Sequence, residues 1–213
     1  MHAGRADFWY AGGTLPARMN HLIASVGKAA GSLRLTRLLR RFPKRPTRAA
    51  FMFVNGFVTI AVLAALAAVS GTPFVFPSLG PTAILLFVSP QLPSSSPRNV
   101  VYGHAIGIVC GYAALMATGL QHTPAAAAGV TPARIIAAAL SLALTSALMV
   151  LADAAHPPAG ATTLIISLGI ITAPLQLVVI EAAVVLLVLQ ATVINRLAGV
   201  RYPIWRARSD APE

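Results

Sequence analysis

Four ionisable side chains lie within or at the edge of otherwise apolar sequence: His104, Asp153, His156 and Glu181. An acid at the centre of a membrane helix costs about 2.5–3.5 kcal/mol on insertion scales, so each such group is read as functional and needs a partner. Asp153 and His156 are three residues apart, a spacing that puts both on one face of a continuing helix, where a carboxylate favours an imidazolium. The plainer reading of Asp153 is hydration at the membrane surface. His156 directly precedes Pro157-Pro158, and a residue before proline is pushed out of the α region. It therefore marks a helix break, where freed backbone groups need a polar lining. Proton coupling through Asp153, His156 or Glu181 is the chemistry this set suggests.

A second signature surrounds that break. Pro77-Ser78-Leu79-Gly80-Pro81-Thr82 and Pro157-Pro158-Ala159-Gly160-Ala161-Thr162 both read P-x-x-G-x-T, and each runs on into branched aliphatic residues. Short, Pro/Gly-interrupted apolar segments at matching places in two halves point to a transporter's central binding site. Proline at the start and the hydroxyls of Ser78, Thr82, Thr162 and Thr163 fit the first turn of a short helix. Amides and dipole there make a site for a small anion. Pro and Gly alone would break helices without function, but two accidents would not fall at matching positions.

The elements that must hold these residues are apolar helices. Hydrophobic residues are 57% of the 213 positions and charged residues 10%, far below the roughly 25% charged content of soluble domains. The charge of +11 does not indicate nucleic acid, because ten of the sixteen Lys/Arg precede Phe51 and four follow Val193. Basic flanks of an apolar core mark the cytoplasmic side, and Leu35, Leu38, Leu39 and Phe42 among the arginines suit a short helix lying on lipid. Both termini are therefore expected in the cytoplasm of a bacterial inner-membrane protein, with membrane lipids as partners. The single cysteine, Cys110, excludes a cysteine metal site; no metal and no cofactor are expected.

Apolar runs predict spans over 51–70, 100–120, 135–151 and 175–194, with shorter segments over 78–89 and 158–171. Spanning about 30 Å takes about 20 helical residues, so the shorter two suit re-entrant half-helices. The expected class is all-α: a polytopic membrane protein with four transmembrane helices plus two re-entrant half-helices in two internal repeats, about 51–120 and 131–194. A basic segment, 1–50, precedes this domain of 51–194, and a short basic tail, 195–213, follows it. Crossing by the short segments would instead give six spans and an inverted repeat. The four-span reading leaves Arg98 on the outer side, where it would attract anions. Gly103, Gly107 and Gly111 line one helix face and allow close approach, either by another helix of the chain or by a second copy in a homo-oligomer.

His156-Pro157-Pro158-Ala159-Gly160-Ala161, preceded by Asp153, resembles the hallmark of the HPP family of integral membrane proteins. The first half resembles it too, in the segment from Pro77 to Phe87 and in Pro97-Arg98-Asn99 followed by Gly103-His104; Pro81 stands where an alanine is usual. The resemblance covers about 51–194 and implies a four-helix membrane domain, with plant and cyanobacterial members implicated in nitrite transport. The expected function is thus a transporter or channel, not an enzyme, for a small monovalent anion, nitrite first. Its binding set is Pro77, Ser78, Gly80, Thr82, Arg98, Asn99, His104, His156, Pro157, Pro158, Gly160, Thr162 and Thr163. Two alternatives stand beside it. One is a non-transporting membrane subunit. The other is an intramembrane hydrolase built on Asp153, His156 and a serine such as Ser167, for which no G-x-S-x-G elbow is present.

Overall fold

The computed structural model describes residues 34–123 and 131–207, and among them the only regular elements are helices. They are α1 (Leu35–Arg41), α2 (Lys44–Ser70), α3 (Leu79–Val88), a 3-10 turn (Pro93–Ser95), α4 (Pro97–Ala117), α5 (Pro132–Leu151), α6 (Ala159–Ser167) and α7 (Pro174–Leu197). Four of them, α2, α4, α5 and α7, are long and apolar enough to cross a membrane. Proline opens α4, α5 and α7, where its missing N–H costs nothing. Ser96 and Thr131 accept hydrogen bonds from Asn99 N and Arg134 N as N-caps of α4 and α5. Gly71, at φ 65°, ends α2, the left-handed position that glycine takes without a Cβ penalty. Outward-facing Phe53, Phe57 and Val69 on α2 are exposed, which suits a helix bathed in hydrocarbon.

The direction of each helix follows from what meets at the two ends of the bundle. At the near end, where α2 starts, Phe51 packs edge-on against Phe87 of α3 with centroids 6.2 Å apart, and Gly199 after α7 lies against Thr36 of α1. Arg98 N donates to Trp205 O at 3.0 Å, and the Arg98 guanidinium donates to the carbonyls of Ala152 and Asp153 after α5. At the far end, Arg134 at the start of α5 donates to Leu168 O after α6 and to Thr123 O after α4. The segment 71–88 and the segment 152–168 therefore each run from one end of the bundle to the other.

This corrects the re-entrant expectation. Helix α3 has 10 residues and rises only about 15 Å, half of a hydrocarbon core of about 30 Å. The non-helical residues before it, which can reach up to about 3.3 Å each, cover the remainder. A length argument that assumed helix throughout undercounted the reach of the broken segments. The same geometry moves Arg98 from the expected outer side to the end that also carries the basic residues flanking α2 and α7.

The glycine face is filled from within the chain. A Cβ on Gly103 would lie 2.6 Å from His156 Cβ, one on Gly107 2.9 Å from Ala159 O, and one on Gly111 2.8 Å from Thr163 O. Helix α6 thus lies backbone-on-backbone along α4, and of the two partners open to this face another helix of the chain occupies it. A larger core joins α2, α3 and α7 through Leu63, Leu79, Leu86, Ile180, Val184 and Leu187.

Two glycine variants test the packing. Gly107→Ala is expected to destabilise the folded protein by about 1–3 kcal/mol, the cost of overpacking. Gly56→Ala, whose added Cβ meets nothing within 4 Å, is expected to be neutral or slightly stabilising. Denaturation in detergent, followed by circular dichroism, compares them; equal stability would contradict the close approach.

Candidate functional site

The starts of α3 and α6 meet beside the second turn of α4. Each short helix begins two residues after the proline of its motif, at Leu79 and at Ala159, so Thr82 and Thr162 both sit in the opening turns. His104 stands between them: its Nε2 is 2.9 Å from Thr82 Oγ1 and its Nδ1 is 2.8 Å from Thr162 Oγ1. His156, in the break before α6, places Nε2 3.3 Å from the same Thr82 hydroxyl and Nδ1 2.7 Å from Ser94 O. The two imidazole centroids are 5.1 Å apart. All four side chains are fully buried.

Donor and acceptor counting orders this cluster. Ser94 O is a carbonyl and can only accept, so His156 Nδ1 carries a hydrogen. If His156 is neutral, its Nε2 accepts from Thr82, whose oxygen then accepts from His104 Nε2–H, leaving His104 Nδ1 to accept from Thr162. Every polar atom in the chain Thr162, His104, Thr82, His156, Ser94 is then satisfied without a net charge, as an apolar interior demands. The tautomers are assigned from the hydrogen-bond network.

A second polar seam ties α6 to α5, through Thr145 to Thr163 at 3.1 Å and Ser141 to Ser167 at 2.9 Å. Ser167 is thus occupied away from His156, and the Asp153, His156, Ser167 set is not brought together. Asp153 does not face His156 either. It is exposed, at φ 48°, and pairs with Arg206 at 2.9 Å, a surface contact that contributes little. The helix ends before it, so the three-residue spacing never becomes a shared face.

Arg98 and Asn99 hold the same loop. Arg98 binds the carbonyls that end α5 and also Asn99 Oδ1, and Asn99 Nδ2 reaches Ala155 O at 3.5 Å. Glu181, on α7, has both carboxylate oxygens buried without a hydrogen-bond partner among the described residues. Among those residues no group of three or more His, Cys, Asp or Glu is placed to hold a metal.

The expected amide cradle is corrected. Leu79 N and Gly80 N donate to Phe76 O and Pro77 O, while Ala159 N, Gly160 N and Ala161 N donate to His156 O, Pro157 O and Pro158 O. These first-turn amides close turns on their own chain, which leaves side chains as the donors at the site. Ser78 Oγ and, on α2, Thr59 Oγ1 are buried hydroxyls without a partner among the described residues. Eight residues back from the Phe51–Phe87 contact on each antiparallel helix, about 12 Å along, lie Thr59 and Leu79, so both orphan hydroxyls are at one level of the bundle. Pro157 and Pro158, with Pro81 and Ser94, line an open groove of about 600 Å³ outside the cluster.

Several contributors were invisible in the sequence. Ser94 acts through its carbonyl, which no side-chain pattern marks. Tyr202 lies in the tail after α7, yet its hydroxyl donates to Ser95 O at 2.7 Å; burial pushes this phenol up and keeps it a donor. Asn195 Nδ2 donates to Leu86 O at 3.1 Å, satisfying the end of α3.

The chain belongs to the HPP transmembrane family, whose model, described as "HPP, transmembrane region", matches residues 42–203. It is similar to two curated transmembrane proteins of Dictyostelium discoideum. One is 31% identical over 57% of this chain and 39% of its own length, and the other 32% identical over 44% and 30%. The chain thus spans well under half the length of these relatives. No solved structure matches it.

Arg98→Gln is expected to lower the yield of folded protein and its thermal stability, by about 1–3 kcal/mol for carbonyls left unpaired. Any ligand response per folded molecule should stay the same. A weakened response with unchanged stability would return Arg98 to the anion-attracting role that its sequence position suggested.

Proposed function

We propose that this HPP family protein is a transporter or channel for a small monovalent anion, with nitrite the first candidate, and that the anion binds where the starts of α3 and α6 converge. The observation that carries the reading is the buried His104, His156, Thr82, Thr162 cluster at the meeting of two broken helices inside an apolar bundle. Broken helices that point their positive ends at one polar site are the arrangement in which membrane transporters bind anionic groups. Ionisable groups held inside an apolar bundle default to a pathway role.

The first three helices after Pro43 run away from, towards and away from the near end, and the last three run in the opposite senses. We read the two halves, about 51–120 and 131–194, as an inverted repeat around the cluster. The two first-turn dipoles then add at one place. With the backbone amides committed and the His–Thr hydrogens paired within the cluster, the Ser78 hydroxyl is the donor already free for the anion, and the imidazole N–H, Thr82 and Thr162 groups replace the anion's water by exchanging those partners for it.

The family resemblance brings nitrite forward, and nothing in the cluster's chemistry selects it over nitrate, formate or chloride. An uptake survey with these four anions in proteoliposomes tests the reading. Nitrite uptake above protein-free vesicles is expected, falling about tenfold or more per folded molecule in His104→Gln, the loss that corresponds to one hydrogen bond to a charged group. Uptake of none of the four by folded wild-type protein would favour a non-transporting membrane subunit instead.

A further inference from the structure

We propose that the Thr82 hydroxyl is a two-position switch that lets His156 take up one proton together with the anion, so that proton and anion move as a neutral pair; this rests on the anion reading above. Thr82 Oγ1 has three neighbours: Ser78 O at 3.0 Å, His104 Nε2 at 2.9 Å and His156 Nε2 at 3.3 Å. A hydroxyl has one hydrogen and two lone pairs. Two arrangements pair both imidazole Nε2 atoms with that oxygen while His156 Nδ1 stays bound to Ser94 O and His104 keeps its Nε2–H, and only the second also gives Ser78 O the hydroxyl hydrogen. In the first, Thr82 donates to His156 Nε2, and both histidines are neutral. In the second, Thr82 turns its hydrogen to Ser78 O, and both imidazoles donate to its oxygen.

The second arrangement differs from the first by one proton on His156 Nε2 and by one hydroxyl rotation. No heavy atom has to move. In the proton balance, an external proton forms the His156 Nε2–H bond, the Thr82 O–H bond is kept, and release breaks only the new N–H bond. The remaining hydrogen bonds of the cluster, Ser94 O to His156 Nδ1 and Thr162 to His104 Nδ1, are the same in both.

Charge explains why the proton and the anion should arrive together. An imidazolium buried among apolar helices is costly alone, and so is an anion, whereas the pair cancels the charge. The surrounding elements supply no fixed counterion. Helices α3 and α6 and the 3-10 turn contain no ionisable residue. On α4 the titratable or charged groups are His104, inside the cluster, Arg98, engaged with the end of α5, and Tyr102, packed against Trp205, beside Tyr112 and Cys110 in the apolar packing. Asp153 is held by Arg206 at the surface, and Glu181 on α7 makes no hydrogen bond to either histidine.

The test uses the full chain in proteoliposomes loaded with a pH-sensitive dye, with sodium nitrite outside and protein-free vesicles subtracting the leak of nitrous acid. Wild type is expected to bring in one proton per nitrite, independent of membrane voltage. Thr82→Ser keeps the hydroxyl and should keep that coupling, while Thr82→Val should lose coupled uptake by about tenfold or more. Nitrite uptake without protons, or Thr82→Val equal to wild type per folded molecule, would overturn the switch. Nitrogen-15 NMR of the histidines, in the absence of nitrite, reads the resting state separately. At neutral pH hydrogen is expected on His156 Nδ1 and on His104 Nε2; hydrogen on His156 Nε2 instead would overturn the switch even if nitrite is carried, whereas absence of any nitrite uptake with the expected tautomers would remove the transport reading, and the proton–anion coupling with it, while keeping the resting hydrogen-bond order.

Discussion

Helix α6 and the break just before it lie directly on three glycines of α4, and the rest of the centre depends on that contact. With no Cβ at Gly103, Gly107 and Gly111, His156 Cβ and the backbone at Ala159 and Thr163 come within the space a methyl group would fill. That approach sets His104 Nδ1 2.8 Å from Thr162 Oγ1 and brings His156 over the start of α4. In lipid there is no hydrophobic difference between helix contact and tail contact, so close packing and polar bonding must supply the association. The glycine face supplies the first, and the Thr145–Thr163 and Ser141–Ser167 pairs supply part of the second.

Breaking two crossing segments inside an apolar bundle leaves backbone groups that must be satisfied by protein. The non-helical residues ahead of each short helix are arranged accordingly. First-turn amides close on carbonyls one turn earlier, Arg98 and Asn99 bind the carbonyls that end α5 and enter the second break, and Asn195 satisfies Leu86 O at the end of α3. The hydrogen bonds of this repair explain why Arg98, Asn99 and Asn195 are structural, while the His–Thr cluster is left with groups able to exchange partners.

Much of this was legible in the chain. Long apolar runs gave four spans, within three residues of the ends of α2, α4, α5 and α7 except that α2 starts seven residues earlier, and the P-x-x-G-x-T pair located the starts of both short helices. His104, His156, Thr82 and Thr162 were picked out as site residues and are the four that meet. Three features misled. Helix length alone suggested that the short segments turn back, because non-helical backbone can cover up to twice the distance per residue and a hydropathy run does not say which conformation it takes. Asp153 appeared to face His156 only on the assumption of a continuing helix, which ends at Leu151. Arg98 looked like an outward anion lure because its side of the membrane depended on that same crossing count. The roles of Ser94, Tyr202 and Asn195 arise from contacts across more than sixty positions in the chain, beyond the reach of any local pattern.

The central claim is that two broken segments cross the bundle in opposite senses and meet at its middle, and membrane sidedness tests it most directly. Single cysteines at Ser70 and at Gln91, both exposed positions flanking the first broken segment, can be labelled in sealed vesicles with a membrane-impermeant maleimide, in a Cys110→Ala background. Labelling of the two positions from opposite sides is the result predicted here. Labelling of both from the same side would mean that the first segment turns back, and would contradict the account.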